Sequence, residues 1–533
     1  GLTVVDLSDA WTPRVFAKDP ATGDASPYRA RYLRLANQRD TDLGLFGIQP
    51  SLTRLAERLT DEKRQRCQAA VDRAPIEALH AAMDAAPEGK KAALAKAYDA
   101  RPAIRAVEAQ LVCDRLLLPT QANGTLGKNA QIGLEIFRRR HMIVAISGLD
   151  PDAVAALALP GDELDFRALL RGLRERVAEA AGLVEDGSAS GDRALVVGRT
   201  LDLSPFAALG QLRPLDGAAK DLVDVATDAA ARALGWTSPE AARDFAAARG
   251  RRGFETLRVA LRLPPPPAYL AREMELRVEI DRGDVFYDTP LRAAIERKRL
   301  GKVRAPSFVL YAKDHGKDRA LVRWATTIGG WQKERVEEGQ VVLRYKESDV
   351  GQRFWRHLVA APAWLPPDST PEAELVREGD DGTLALKKDL IEPGYLNAYG
   401  LVMLVHDERV EDDDGGDAKW EDHGIRTHGS VNYKSILRGE SHGCHRLYNH
   451  LALRLSGYLL AHRRWVRRGK LHSTFHRTLS WHDQKIDLDV PIRGYLFELD
   501  PPVPVDVLEG NIVGEEKTPV TSLIRLKKDP ASG

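Results

Sequence analysis

Residues 427–447 read THGSVNYKSILRGESHGCHRL and contain one cysteine, Cys444, preceded by a glycine and followed by a histidine and an arginine. A thiol attacks as its thiolate, so it needs nearby positive charge and backbone N–H groups that face the developing oxyanion. Gly443 permits a tight turn and a close approach by a substrate. A helix that we predict from Arg446 to Arg463 would also place the thiol near a positive helix N-terminus. The stretch therefore predicts Cys444 as a reactive nucleophile.

Histidine is concentrated in the same part of the chain, since 11 of the 14 histidines lie from His357 onward. They can be ordinary polar residues, metal ligands or the base that serves a nucleophile. A metal set could in principle form from His406, His423, His428 and Cys444. That spacing fits no common zinc pattern, which would pair cysteines or place two histidines on one helical face. We therefore predict no metal site and no cofactor.

The two motifs Thr427-His428-Gly429-Ser430 and Ser441-His442-Gly443-Cys444-His445-Arg446 closely resemble the signature of L,D-transpeptidases with the YkuD-type catalytic domain. The strand-like run Gly400–His406 and the segment Pro362–Pro367, PAWLPP, resemble the upstream context of that family. The resemblance covers roughly residues 275–510 and is firm over 395–465. His445 departs from it, because an aliphatic residue is common after the cysteine. It could alter the pKa of Cys444 or face solvent.

The resemblance implies a role for each matching residue. Cys444 would be the nucleophile and His428 its base, with the carbonyl of Gly429 or Ser430 orienting the imidazole ring. The oxyanion hole would consist of the N–H groups of His442, Gly443 and Cys444, and the His442 side chain would hold the turn. Arg446 would bind a substrate carboxylate or make a structural ion pair. The remaining residues that we predict to contact substrate are Ser441, Tyr433 and His445.

The implied substrate is a peptidoglycan tetrapeptide stem. Attack by Cys444 would release the terminal D-alanine and leave a thioester, and an amine of a neighbouring stem would then form a 3→3 cross-link. Water as the acceptor would make the enzyme an L,D-carboxypeptidase, a D-amino acid would give exchange, and a protein lysine would give anchoring to the wall. A wall-binding scaffold protein without activity is the alternative from another class.

Upstream of residue 264 the chain is rich in Ala, Leu, Arg and Glu at helical spacing, whereas short β-branched and aromatic runs follow Pro264–Pro267. We predict a multidomain α+β chain, with an N-terminal all-α region and then a mostly antiparallel β-sandwich of the YkuD type with one main helix after Cys444.

A part of the helical region resembles a peptidoglycan-binding module, through the runs 107–111, 123–127, 134–138 and 148–150. It departs from that pattern at Arg138, where glutamine is preferred. The predicted division is an irregular segment (1–27), a helical scaffold (28–100), the peptidoglycan-binding-like module (101–160), a second scaffold (161–263), a proline-rich linker (264–274), the catalytic domain (275–510) and a tail (511–533).

The composition gives no sign of nucleic-acid binding or of a membrane span. Lys and Arg number 78 against 77 Asp and Glu, so the basic excess typical of a nucleic-acid binder is missing. We find no apolar run of about 18 residues that predicts a membrane span. The chain begins Gly-Leu-Thr, which fits an artificial start or a mature form that has lost its export signal, and we expect a monomer in the periplasm or cell envelope. Cys67 and Cys113 could pair or remain buried thiols, and the acidic run 411–417 could be a solvated loop, a lid or a cation loop.

Overall fold

Cys444 lies beside the edge strand of a nine-stranded mixed sheet that organises the C-terminal half of the protein. The structure is a computed structural model, and it describes residues 1–87, 90–91, 94, 101–145, 148–207, 209, 213–250, 252–335, 341–379, 381–412, 418–481, 484–514 and 524–525. Within these residues the chain is a mixed α/β protein with 15 α-helices. None of the described helices is both long and apolar enough to cross a bilayer.

The first half of the chain is mainly helical. Its helices are α1 (Arg29–Ala36), α2 (Leu52–Leu59), α3 (Glu62–Ala69), α4 (Ala74–Ala85), α5 (Arg101–Cys113), α6 (Lys128–Arg140), α7 (Pro151–Ala158), α8 (Gly161–Ala181), α9 (Leu222–Ala233) and α10 (Pro239–Arg249). Strands β1 (Thr3–Asp6) and β2 (Arg258–Leu261) form an antiparallel pair that joins the two ends of this half. Residues 1–27, which we expected to be irregular, therefore begin with a paired strand.

The helical half contains two apolar cores. Helices α2, α8, α9 and α10 share one core with β1 and β2, and helices α4 to α7 share the other. Cys67 on α3 and Cys113 on α5 form a disulfide, which settles the pairing that the sequence left open. The disulfide joins α3 to the second core, so the unit that contains the peptidoglycan-binding-like stretch includes residues before 101.

The second half carries the remaining strands and helices. These are β3 (Leu276–Asp281), β4 (Asp284–Phe286), α11 (Pro290–Leu300), β5 (Ser307–Asp314), β6 (Lys317–Ala325), β7 (Gly330–Arg335), β8 (Val341–Lys346), β9 (Gly351–Ala360), α12 (Glu372–Leu375), β10 (Val376–Glu378), β11 (Leu384–Leu386), α13 (Lys388–Ile391), β12 (Val402–Val410), β13 (Lys419–Ser430), α14 (Tyr433–Arg438), β14 (His445–Tyr448), α15 (Asn449–His462), β15 (Trp465–Trp481), β16 (Gln484–Val507), β17 (Asn511–Val513) and β18 (Ile524–Arg525). Residues 262–275 form neither helix nor strand, as expected of a segment with four consecutive prolines.

The main sheet has the order β14-β13-β12-β9-β16-β3-β5-β6, and β15 also pairs with β16. Most neighbours are antiparallel, but β13–β14 and β16–β3 are parallel. Our prediction of a helix from Arg446 was wrong at its start, because His445–Tyr448 pair with β13 as a strand and α15 begins at Asn449. A strand thus separates Cys444 from the helix, and the predicted effect of the helix N-terminus on the thiol is lost.

Helix α15 follows the edge strand and is buried along almost its whole length. It contacts β12 and β13 of the sheet, and also α8 and the short turns Arg14–Phe16 and Gly44–Phe46 from the N-terminal half. Both its apolar side chains and polar ones such as His450 and Arg454 are buried, so the helix is stable only when other elements enclose it. The largest core accordingly joins residues from both halves of the chain, with Phe16, Tyr32 and Ile48 packed together with sheet and α15 residues.

Candidate active site

The Cys444 turn, residues 441–445, is clamped by hydrogen bonds within itself. The Gly443 amide donates to Ser441 Oγ (3.1 Å), and the Ser441 hydroxyl lies 2.7 Å from the Cys444 carbonyl oxygen. Gly443 has φ +108°, and a Cβ on it would lie 2.8 Å from the carbonyl oxygen of Glu347. The predicted need for glycine before the cysteine is therefore explained by backbone geometry and a close neighbour.

Two threonines that directly follow β6 hold the backbone around Cys444 through hydrogen bonds. The Thr327 hydroxyl donates to the Cys444 carbonyl (2.7 Å) and accepts from the Arg446 amide (2.9 Å). The Thr326 hydroxyl donates to the Arg446 carbonyl (3.0 Å). The backbone on both sides of Cys444 is thus fixed by side chains more than a hundred residues away in sequence, and no motif in the sequence identified them.

His428 lies on β13, directly opposite Arg446 of β14 in the parallel register. Its Nδ1 donates to the Gly429 carbonyl at 2.7 Å, because a carbonyl oxygen can only accept. Of the two orienting carbonyls that the sequence left open, the structure selects Gly429. This hydrogen bond fixes the neutral tautomer whose Nε2 carries a lone pair, which is the form that a general base needs.

Cys444 and His428 share three neighbours although no hydrogen bond joins them among the described residues. Arg426 and Arg446 influence the pKa of both groups. The Tyr399 ring packs edge-on against the His428 ring at 5.2 Å, and the charge of Cys444 acts on the Tyr399 hydroxyl. Paired residues of neighbouring strands point to the same sheet face, so His428 and Arg446 share the face on which these neighbours gather.

Burial keeps both groups neutral. It raises the pKa of the Cys444 thiol, although the Arg426 guanidinium, a hydrogen bond from the Arg426 amide and the Arg446 guanidinium all act to lower this pKa. Burial and the Arg446 charge lower the pKa of His428 to about 3. Our expectation of a thiol with a lowered pKa is wrong for this state, because desolvation of the thiolate outweighs the nearby cations.

Arg446 has a half-buried side chain, and its guanidinium makes no hydrogen bond or ion pair within the described part of the chain. Arg426, in contrast, is held by Asp422 through two contacts of 2.6 and 2.7 Å. The structural ion pair that we considered for Arg446 is therefore not present among these residues. Arg446 is a cation beside the thiol that can accept an anionic ligand.

The other predicted site residues lie in different surroundings. The Ser430 hydroxyl accepts from the Asn432 amide (3.0 Å), and the Tyr433 hydroxyl lies 3.5 Å from Glu135 of the helical half. Ser441 is fully buried in the turn, whereas His442 is exposed. The Gly443 amide is bonded to Ser441, so the candidate oxyanion donors that remain are the amides of His442 and Cys444.

His445 is fully buried and faces away from Cys444, toward Thr327 and Asp349. The solvent-facing alternative for this residue is therefore wrong, and its position gives no support to a substrate contact. The four residues considered as metal ligands do not form a cluster among the described residues. His423, for example, pairs with Glu408 at 2.8 Å. Residues 413–417 of the suspected lid lie outside the described residues.

No known family model, curated protein or solved structure matches this chain. The chemical interpretation of the site therefore depends on its own geometry. A free cysteine, a histidine fixed in the basic tautomer and backbone amides at a tight turn are groups that acyl transfer through a thioester uses. Arg446, without a partner among the described residues, adds a cation beside them.

Proposed function

We propose that this protein is a cysteine-dependent L,D-transpeptidase whose catalytic domain is of the YkuD type. The observation that carries the proposal is the His428–Gly429 hydrogen bond, which fixes a basic tautomer on the strand that pairs with the segment after Cys444. Cys444 is also the one free cysteine of the chain. A cysteine that served only to pack the turn would need no histidine held in the basic tautomer on the neighbouring strand.

The neutral resting state indicates how the first step proceeds. His428 Nε2 accepts the thiol proton as Sγ attacks the carbonyl carbon of the amide between the D-centre of the stem diamino acid and the terminal D-alanine. The amides of His442 and Cys444 donate to the oxyanion. The C–N bond then breaks, His428 gives its proton to the leaving amine, and D-alanine departs from the thioester.

In the second step the sulfur is the leaving group, and His428 carries a proton from the incoming amine to it. An amine of a neighbouring stem attacks the thioester carbonyl carbon, His428 takes the proton from that amine, and Sγ leaves as the thiol after receiving the proton. The product is a 3→3 cross-link. Arg446 binds a carboxylate of the stem peptide, since its guanidinium lies near the thiol and has no partner among the described residues. The proposal implies a bacterial envelope as the location of the protein and a wall-binding scaffold as the role of the helical half.

The test is incubation of the purified chain with disaccharide tetrapeptides, followed by mass analysis of the products. Cross-linked dimers with release of D-alanine support the proposal, and tripeptides alone would show hydrolysis to be the main reaction. Cys444→Ala and His428→Ala should abolish product formation, while His423→Ala on the exposed Glu408 pair should leave it intact. A wild-type chain that forms no product and no thioester with a carbapenem would favour the alternative of an inactive wall-binding scaffold.

A further inference from the structure

Asp349, His406 and His445 form a buried histidine–aspartate cluster on the sheet face opposite His428. The Asp349 Oδ2 atom lies 3.3 Å from His406 Nδ1, and its Oδ1 atom lies 3.5 Å from His445 Nε2. One ligand atom from each of the three residues can be chosen so that all lie within 4.8 Å of one another. Both imidazole rings are fully buried.

The outer nitrogen of each ring is already engaged. His445 Nδ1 donates to the Thr327 carbonyl (2.9 Å), and His406 Nε2 lies 2.9 Å from the Thr427 hydroxyl. A neutral His445 with this tautomer directs the lone pair of Nε2 at the carboxylate of Asp349. A lone pair that faces a carboxylate in a buried site is unfavourable unless a proton or a metal cation lies between them.

The inner atoms of the cluster lie 3.3 to 3.5 Å apart in ion-pair contacts, but they make no hydrogen bond of good geometry among the described residues. His406 Nδ1, His445 Nε2 and both oxygens of Asp349 are buried and unsatisfied. Arg353 approaches Asp349 Oδ2 at 3.2 Å, but its Nε makes no hydrogen bond of good geometry. Buried polar atoms in native proteins almost always have a partner, so four converging atoms without one indicate a missing ligand.

We propose that Asp349, His406 and His445 bind a divalent transition-metal ion, with zinc preferred. Two imidazoles and one carboxylate are a common zinc set, and ligand atoms around tetrahedral zinc lie about 3.4 Å apart, close to the two carboxylate–imidazole distances in the cluster. The outer hydrogen bonds to Thr327 and Thr427 are of the kind that orients metal-binding histidines, and Arg353 supports the carboxylate from outside.

The metal would connect three separate segments below the Cys444 turn. Asp349 belongs to the loop between β8 and β9, His406 lies at the irregularity of β12, and His445 follows Cys444 directly. The neighbouring Glu347 carbonyl also abuts Gly443. The ion is a structural support for the turn. It takes no part in the thioester chemistry, and its presence does not depend on that chemistry.

The experiment measures metal retention by the full chain in a Cys444→Ala background, which removes the thiol as a ligand. The protein is dialysed against chelator, supplied with Zn²⁺ or Co²⁺, desalted and analysed by elemental mass spectrometry. We expect about one ion per chain and Co²⁺ absorption bands typical of a four-coordinate site. His406→Gln and Asp349→Asn should each weaken binding by at least about tenfold, whereas the matched exposed variant His423→Gln should retain the metal.

Failure of the Cys444→Ala chain to retain either ion would overturn the proposal. This chain has an intact cluster, so the result does not depend on whether His406→Gln folds. Equal retention by His406→Gln and the His423→Gln control would also overturn it. Because the chain lacks the thiol, a failure here leaves the proposed transpeptidase activity untouched.

Discussion

At the residue scale, the site contains two groups that burial holds in their neutral forms. A thiol with a raised pKa and an imidazole with a lowered one do not form an ion pair at rest. Proton transfer from Cys444 to His428 therefore accompanies the attack on the substrate instead of preceding it. The free-energy cost of forming the Cys444 thiolate and the His428 imidazolium is lowered only when the oxyanion and its hydrogen-bond donors are present.

The His428 pKa makes stability depend on pH in a defined direction. Its folded value of about 3 lies below the ordinary value of about 6.5, so at intermediate pH the unfolded chain binds a proton that the folded chain does not. Stability should fall as pH drops through this window, by up to about 1.4 kcal/mol per pH unit. His428→Gln should reduce that slope in urea unfolding between pH 7 and about 4.5, and the slope that remains belongs to other histidines with lowered pKa values, such as His141 and His442. The control is His423→Gln; equal slopes in the two variants would contradict the assignment.

Gly443→Ala tests the geometry of the turn. Its φ of +108° opposes a side chain, and so does the Glu347 carbonyl, which would lie 2.8 Å from the alanine Cβ. We expect a loss of about 1–3 kcal/mol in unfolding free energy and a slower reaction of Cys444 with iodoacetamide. Gly469→Ala is the matched control, since Gly469 has φ +82° and open space around it. Equal losses of unfolding free energy in the two variants would show that the close approach of the Glu347 carbonyl does not add to the destabilisation.

Arg446→Gln tests the cation beside the thiol. The Arg446 charge lowers the pKa of Cys444, so its removal should raise the pH midpoint of thiol alkylation. Arg446→Lys keeps the charge and should shift the midpoint less, while both variants should raise KM for the tetrapeptide if the planar guanidinium binds its carboxylate. An unchanged midpoint in Arg446→Gln would mean that the guanidinium is turned away from the thiol in solution.

At the scale of the elements, the sequence predicted strands at the β-branched and aromatic runs Ser307–Ala312 and Leu401–His406. The structure has β5 at Ser307–Asp314 and β12 at Val402–Val410. The sequence misassigned Arg446–Tyr448 as the start of the helix that begins at Asn449. These three residues, together with His445, form a strand only through hydrogen bonds to β13, a partner that no local stretch of sequence contains.

The motifs located Cys444 and His428, but the surroundings of the site depend on tertiary contacts. Thr327, Tyr399 and Arg426 reach the site through turns and register, and none belongs to a recognisable spacing. The histidine–aspartate cluster was missed for the same reason, since its members are far apart in sequence. The choice of Gly429 over Ser430 as the orienting carbonyl also required coordinates.

Asn449 connects three elements at the beginning of α15. Its Oδ1 accepts from the Leu401 amide (3.0 Å), and its Nδ2 donates to the Tyr395 carbonyl (3.2 Å). A Cβ on Gly429 would lie 2.1 Å from that Oδ1, so the side chain fills the space behind the His428 strand. Asn449→Ala leaves two buried polar groups unpaired and should cost about 2–5 kcal/mol.

The loss should appear in urea unfolding together with a lower rate of carbapenem acylation. Ser456→Ala is a control in the same helix, because the buried Ser456 hydroxyl bonds, among the described residues, to the Ala452 carbonyl four residues earlier and to no other element. If Asn449→Ala and Ser456→Ala cost the same free energy, the connection between α15 and the sheet is weaker than the contacts suggest.

At the scale of the whole molecule, the two halves share charged contacts as well as a core. Arg454 of α15 pairs with Glu175 of α8 at 2.5 Å, and His450 lies 2.8 Å from the Ser204 hydroxyl. All four side chains are wholly or largely buried. Removing one partner of such a pair leaves an uncompensated charge in the interior. The helical half thus contributes to the support of the helix that follows Cys444.

This sharing predicts how the protein responds to division at the proline segment. Residues 268–533 expressed alone should be insoluble, because α15 would lose α8 and the packing of Phe16, Tyr32 and Ile48. Coexpression with residues 1–263 should give a soluble one-to-one complex that Cys444-directed carbapenems acylate. A protease site inserted at Pro264–Pro267 of the intact chain is the control, and the cleaved halves should elute together in size-exclusion chromatography. A soluble, cooperatively unfolding fragment 268–533 would instead make the sheet and α15 an autonomous catalytic domain, because its core would then be complete without the N-terminal half.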